Sequence, residues 1–319
     1  MSKIIERIEH QLGIPGLAAN LALRLTPTDL QTLLLEVYWL RLSQVQPAAV
    51  LSSYRTNRFV QPARSSPLEL VKWEQVAFEH LPAEFQPLEL SPVCPLGTSS
   101  TVAPVDPAWS VATIRNTELV SDSTNVLALE CALRRKELLR ADSKSNTAVH
   151  LAASHRLLRA QAYRNPKLAA HFSIFALCSA GRDPGNLEFE ISALSLHIRF
   201  YLTALRAFLG AQVPLQLSIT DFSTEVNRER IDGRLFVPIQ QQYAGVDCSW
   251  DDTRTAGGGY YHPLCFHIHA TTPAGQQLEL VDGGGLDWTQ KYLSNAKERL
   301  VASGIASERV CSEFKTASA

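Results

Sequence analysis

Residues 263–284, PLCFHIHATTPAGQQLELVDGG, constrain this chain more than any other stretch. Two runs of strand-forming residues flank a Pro-Ala-Gly turn, so the pattern predicts neighbouring antiparallel strands joined as a hairpin. PLQLSITDF and the apolar run at 171–180 supply further strands, while helical periodicity occupies 125–139 and 187–209. Strands and helices intermingle without a regular βαβ rhythm. The expected class is therefore α+β, a mainly antiparallel sheet flanked by helices, with no internal repeat and no low-complexity tract.

The 319 residues, 45% of them hydrophobic, are enough for an ample core. With 30 Lys+Arg against 31 Asp+Glu the net charge is -1, which removes the global basic field that nucleic-acid packaging needs. Six scattered cysteines, Cys94, Cys131, Cys178, Cys248, Cys265 and Cys311, contain no CxxC pair, so reduced and mostly buried thiols are expected. Glu6, Arg7 and Glu9 interrupt the place where a secretory signal would run apolar, and no stretch reaches the roughly 18 apolar residues of a membrane span. A soluble, cytoplasmic protein is expected.

The first 60 or so residues read as helical. In LTPTDLQTLLLEVYWLRLSQ, Thr28 can cap a helix whose Leu33, Leu34, Val37, Leu40 and Leu42 form an apolar packing stripe. A polar, Pro-containing boundary at 52–67 leads to a second helix, 68–81, that stops before Pro82. The expected division is an N-terminal helical extension, 1–60, and a core domain, 68–319. Residues 87–118 read as β-rich and turn-punctuated.

Chemistry concentrates in three places. The basic stretch His155, Arg156, Arg159, Arg164, Lys167 and His171 suits bidentate capture of a phosphate or carboxylate, or else forms a solvated hairpin surface. The glycine triplets 257–259 and 283–285 permit close backbone approach to a ligand, although alone each also suits a flexible turn, and neither fits a dinucleotide or P-loop motif. Cys265, His267 and His269 share one face of a strand in the manner of zinc ligands. With no carboxylate placed beside them by the sequence, they read as polar members of a sheet face, and no metal is assigned. No nucleophile elbow is present.

In order, these segments resemble the catalytic core of the class II aminoacyl-tRNA synthetases, the histidyl type and its paralogue, the regulatory subunit of ATP phosphoribosyltransferase. YYHPLCFHIHATTPAGQQLELVDGGGLDW is similar to the family's paired tyrosines, strand, hairpin, and Gly-Gly-Gly followed by Asp. SDSTNVLALECALRR resembles its strand-to-helix element, with Asp122 and Thr124 ahead of the helix. VHLAASHRLLRAQAY resembles the second class II signature, with Gln161 where Glu is usual, and SGIASERV resembles the third.

The resemblance implies an antiparallel sheet carrying a bent ATP with Mg²⁺, and a homodimer. It implies that Arg159 meets the α-phosphate and Arg309 the γ-phosphate as the catalytic pair, with Gln161, His171 and Glu308 completing the ATP site. Asp122, Thr124, Cys178, Tyr260, Tyr261, Gly283, Gly284 and Gly285 would hold the second substrate. Departures shape the functional expectation. HFSIFALCSAG lacks the family's histidine-gripping Gln and Glu, Ala256 stands where a catalytic arginine would, with Arg254 two residues earlier, and no anticodon-binding domain follows Arg309. The expected activity is thus ATP-dependent adenylation of an amino acid or similar small carboxylic acid, without tRNA charging. The alternative is a silent paralogue that binds a ligand and regulates a partner enzyme.

Overall fold

The computed structural model describes residues 2–63, 65–161, 170–223 and 227–314. Four helices come first, α1 (Lys3–Leu12), α2 (Leu17–Arg24), α3 (Pro27–Leu42) and α4 (Pro47–Thr56), followed by α5 (Pro67–Glu79). Next are β1 (Gln86–Pro87), β2 (Val93–Pro95), the short α6 (Thr98–Thr101), β3 (Thr117–Leu119) and α7 (Ser123–Ala141). The chain continues through β4 (Val149–Leu158), β5 (His171–Arg182), α8 (Glu188–Leu209), β6 (Leu215–Asp221), α9 (Arg228–Ile231), α10 (Val237–Gln242) and β7 (Val246–Trp250). It closes with β8 (Leu264–Thr271), β9 (Gln277–Leu286), α11 (Trp288–Leu293), β10 (Glu298–Ala306) and α12 (Ser307–Glu313).

Among the described residues, eight strands form one sheet in the order β1-β4-β5-β10-β9-β8-β6-β7. The centre is antiparallel, and only the outer pairs β1/β4 and β6/β7 run parallel. The hairpin expected at 263–284 is β8–β9, with Gly275 in the turn at φ +80°. Strand alternation divides the core in two. Phe175 and Leu177 of β5 join Val281, Val301 and Phe266 beneath α8, whose Leu194, Ile198, Tyr201 and Leu205 recur at helical spacing. Ala176, Cys178 and Ala180 point the other way, onto Leu127, Ala128 and Cys131 of α7.

Two polar assemblies run through the interior, and only the first is sealed. Arg135 and Glu298, both fully buried, pair bidentately at 2.8 and 2.9 Å, while the Arg135 guanidinium also donates to the carbonyls of Ser145 and Thr147. On the other face a relay runs from His150 to Ser179 (2.7 Å), His197 (2.8 Å), Ser303 (2.7 Å) and Tyr201 (3.0 Å). Burial pulls the His197 pKa down to about 3.

Several sequence expectations are corrected. The cap of α3 is Thr26, whose hydroxyl accepts from the Asp29 amide at 3.1 Å, because Pro27 fits the first helical position and moves the start two residues ahead of Thr28. The apolar stripe of α3 does not enter a core: Leu40 is 55% and Leu42 64% exposed. Within α1–α4 the buried side chain is Glu9, which accepts from the Gly16 and Ala18 amides at 2.9 and 3.4 Å. Residues 87–118 hold only short strand pieces, since their prolines leave few donors for a ladder. The six cysteines are thiols, all buried except the half-buried Cys248. No helix among the described residues is long and apolar enough to cross a membrane.

Candidate functional site

The sheet face that carries α7 is covered only in part, and beyond the helix a cleft of about 980 Å³ opens over β5, β10 and β9. Its floor is small: Ala302, Gly304 and Ala306 line it. Arg159, just past β4, reaches in from one side. Its Nε donates to the Ser121 carbonyl at 2.8 Å and its Nη2 to Asp122 Oδ2 at 3.1 Å, and the guanidinium lies 5.2 Å from the centre of the Phe172 ring. Asp122 has a second task. Its Oδ1 caps α7 by accepting from the Thr124 amide and hydroxyl at 3.0 and 2.8 Å.

Arg309 enters from α12, its guanidinium donating to the Glu279 carbonyl. The preceding residue, Glu308, accepts from Arg156 Nη2 at 2.9 Å and from the Ser173 amide at 2.5 Å. His171 donates through Nε2 to the Gln61 carbonyl at 2.6 Å, so its Nδ1 is the acceptor for Arg156 Nη1 at 2.9 Å. Tyr260 and Tyr261 form a second wall, with ring centres 4.9 Å apart, and Tyr260 is edge-on to Trp288 at 5.4 Å. Burial, reinforced by nearby carboxylates, pushes both phenol pKa values well up, which keeps them hydrogen-bond donors.

The cleft thus gathers Asp122, Thr124, Arg159, His171, Tyr260, Tyr261, Glu308 and Arg309. Five other sequence candidates lie elsewhere. Cys178 is fully buried below the floor, with its thiol donating to the Thr124 carbonyl at 3.5 Å. Gln161 presents its main-chain carbonyl to Arg58, outside the lining. The triplet Gly283, Gly284 and Gly285 is inside β9, where protein atoms fill the space a side chain would need. A Cβ would stand 2.3 Å from Ser303 Cβ at position 283, 2.6 Å from the Leu264 carbonyl at 284 and 2.5 Å from the His262 carbonyl at 285. The close approach that demands glycine is by neighbouring chain segments and the Tyr261 ring, not by a ligand. Arg164 and Lys167 fall outside the described residues.

Three contributors stand outside the residues assigned to the site from sequence, although Arg254 was noted there as the displaced arginine. Arg254, only 7% exposed in its side chain, places Nη2 3.1 Å from Asp282 Oδ1 and donates through Nε to the Ala256 carbonyl at 2.8 Å. Asp282 also accepts from the Tyr261 hydroxyl at 3.2 Å. Burial opposes its ionisation, but hydrogen bonding from His267 and the Arg254 charge prevail and hold its carboxyl below the ordinary range. Arg58, Gln61, Pro62 and Ala63, in the segment read only as a boundary, form one rim of the cleft. The signal available for Arg254 was its nearness to the tyrosine pair; for the rim there was none.

No protein-family model matches the chain, and no curated protein matches it. Among solved structures, it is similar to an ATP phosphoribosyltransferase regulatory subunit/histidyl-tRNA synthetase from Bacillus halodurans (TM-score 0.58, 13% identity, 80% of this chain and 82% of that one). It is also similar to apo histidyl-tRNA synthetase of S. aureus (TM-score 0.55, 11% identity, 78% and 68% covered). A histidine–tRNA ligase subunit from Alicyclobacillus acidocaldarius matches at TM-score 0.54 and 12% identity, over 79% and 94%. The core has a class II aminoacyl-tRNA synthetase-like fold. At these identities the likeness describes the class II-like architecture, and the chemistry rests on the residues of the cleft.

Proposed function

We propose that the cleft binds a nucleoside triphosphate, ATP, across Arg159 and Arg309 and activates a small amino or carboxylic acid beside it. The observation that supports this reading is that guanidinium groups from the β4–β5 side and from α12 line one cleft rather than separate surfaces. Its volume, about 980 Å³, suits a ligand of nucleotide size. In the reaction, a carboxylate oxygen attacks the α-phosphorus, the bond from that phosphorus to the β-phosphate bridging oxygen breaks, and an acyl-adenylate and pyrophosphate result. Such in-line transfer depends on position and charge neutralisation more than on a protein acid or base.

Arg159 would orient the α-phosphate, with Asp122 and the Ser121 carbonyl fixing its guanidinium. Arg309 would meet the γ-phosphate, with His171 and Glu308 completing that end. Thr124, Tyr260 and Tyr261 would wall the acid. Mg²⁺ takes one or two carboxylates together with phosphate oxygens, and Glu308 at the cleft fits that demand; the ion would neutralise charge on the phosphates. The homodimer implied by the family resemblance, the division into extension and core domain, and a cytoplasmic setting belong to the same proposal.

A second reading, a ligand-binding regulatory subunit of a partner enzyme, is favoured by Ala256 at the arginine position and by the engagement of Arg254 with Asp282 and the Ala256 carbonyl. The regulatory role is that of the Bacillus halodurans neighbour, and it is carried to this chain as a proposal only. ATP–pyrophosphate exchange across a panel of amino and hydroxy acids, beside nucleotide calorimetry, separates the readings. Exchange with one acid, reduced about 10²-fold or more in Arg159→Ala, supports the ligase. Unchanged exchange in that variant refutes the arginine's role, binding without exchange supports the regulator, and absence of nucleotide binding overturns the ligase and its ATP site.

A further inference from the structure

We propose that His267, His269 and Glu279 form a binding site for a divalent transition metal of the zinc type, at the edge of the cleft and independent of the triphosphate reading. The alternation of β8 puts Cys265, His267 and His269 on one face, but the thiol is not the third donor. Cys265 is fully buried, packed where the Tyr261 ring and Gly284 meet. The carboxylate comes from the adjacent strand through a break in register. Phe266, His267 and Ile268 face Gly283, Asp282 and Val281 in turn, and then His269 faces Glu279 instead of Leu280. In continuous register His269 would oppose Leu280, a core residue. The bulge therefore brings a carboxylate opposite an imidazole.

A nitrogen from each imidazole and a carboxylate oxygen all lie within 4.8 Å of one another. His267 Nε2 is 3.5 Å from Glu279 Oε2. Tetrahedral zinc with bonds near 2.1 Å separates its ligand atoms by about 3.4 Å, so this pair already spans one edge of such a polyhedron. His269 Nδ1 is buried with no hydrogen-bond partner, a condition that calls for an explanation in a folded protein.

The surrounding charge is also suitable. Three carboxylates, Glu279, Asp282 and Asp251, stand against two cations, Arg254 paired with Asp282 and Arg309 at the Glu279 carbonyl. Asp282 Oδ1, 3.2 Å from His267 Nε2, is retained by Arg254 and Tyr261 as an outer carboxylate when His267 turns to the metal. Two imidazoles and one carboxylate select zinc-like ions over Mg²⁺, and three protein ligands leave a fourth position for water or a small oxygen or nitrogen ligand.

The test uses untagged full chain, stripped with a chelator and titrated with Co²⁺ by visible absorption and with Zn²⁺ by competition against a chromophoric chelator. The expected result is one equivalent bound with a tetrahedral cobalt spectrum, undisturbed by a large excess of Mg²⁺ or by Cys265→Ser. His269→Ala and Glu279→Gln should each weaken binding at least about 10-fold. Glu279 is half exposed, so the Glu279→Gln variant keeps its fold, and its metal-free melting curve should match the parent. No stoichiometric binding, displacement by Mg²⁺, loss in Cys265→Ser, or full retention in both ligand variants overturns the site.

Discussion

Two arginine–carboxylate pairs, Arg135–Glu298 and Arg159–Asp122, are built from similar bonds and differ in what surrounds them. The first is wholly enclosed: Glu298 accepts from Arg135 through both carboxylate oxygens, and Arg135 donates further to two main-chain carbonyls. The second stands at a cleft, 31% and 23% exposed, with its carboxylate shared between a guanidinium and a helix cap. Enclosure makes the first pair a fixed part of the architecture, since removing one partner would leave a bare buried charge. Exposure to a cavity leaves the second able to exchange an internal anion for an external one. Charge closed on itself maintains the fold, and charge left facing space is available for recognition.

The sharpest way to break this comparison is Glu298→Ala. It should destabilise the protein by about 3–5 kcal/mol, read from denaturant or thermal unfolding, because Arg135 loses its counter-charge in the interior. A loss below about 1 kcal/mol would mean that the pair is not sealed.

A weaker effect comes from acid. His197 is held near pKa 3 against about 6.5 when exposed, so between those values the unfolded chain takes up a proton that the folded chain refuses. Stability should accordingly fall as the pH falls below 6.5, with a contribution approaching about 1.4 kcal/mol per pH unit. In His197→Gln this part of the slope should disappear, and unfolding midpoints collected from about pH 7 to 4 check it.

The smallest change is Asp122→Asn, which keeps the cap of α7 while removing the charge beside Arg159. Stability should move by less than about 1 kcal/mol, whereas affinity for inorganic pyrophosphate should rise by about 5-fold as the guanidinium loses its internal competitor. Calorimetry on the variant reads both.

The cleft was partly legible because its two arginines stand beside strands that pair. Arg159 follows β4, β4 pairs with β5, β5 with β10, and Arg309 lies three residues beyond β10. That the two converge was legible only as what the resemblance to the class II core implied, not from spacing alone. The β8–β9 hairpin, and helices α7 and α8, were legible from period and turn chemistry. Spacing could not reveal what fills the space beside a glycine, so Gly283–Gly285 suggested a ligand where Tyr261 and neighbouring strands stand. Nor does alternation announce a register break, so Glu279 was invisible as a partner of His269. The stripe in α3 misled for a different reason: periodicity predicts a face able to pack, but it does not supply the surface against it.

The rim formed by Arg58, Gln61, Pro62 and Ala63 begins almost where α4 ends, and it is fastened to the sheet by His171 and to the Gln161 carbonyl by Arg58. A short tether shared in this way gives the leading helices mechanical purchase on the mouth of the cavity.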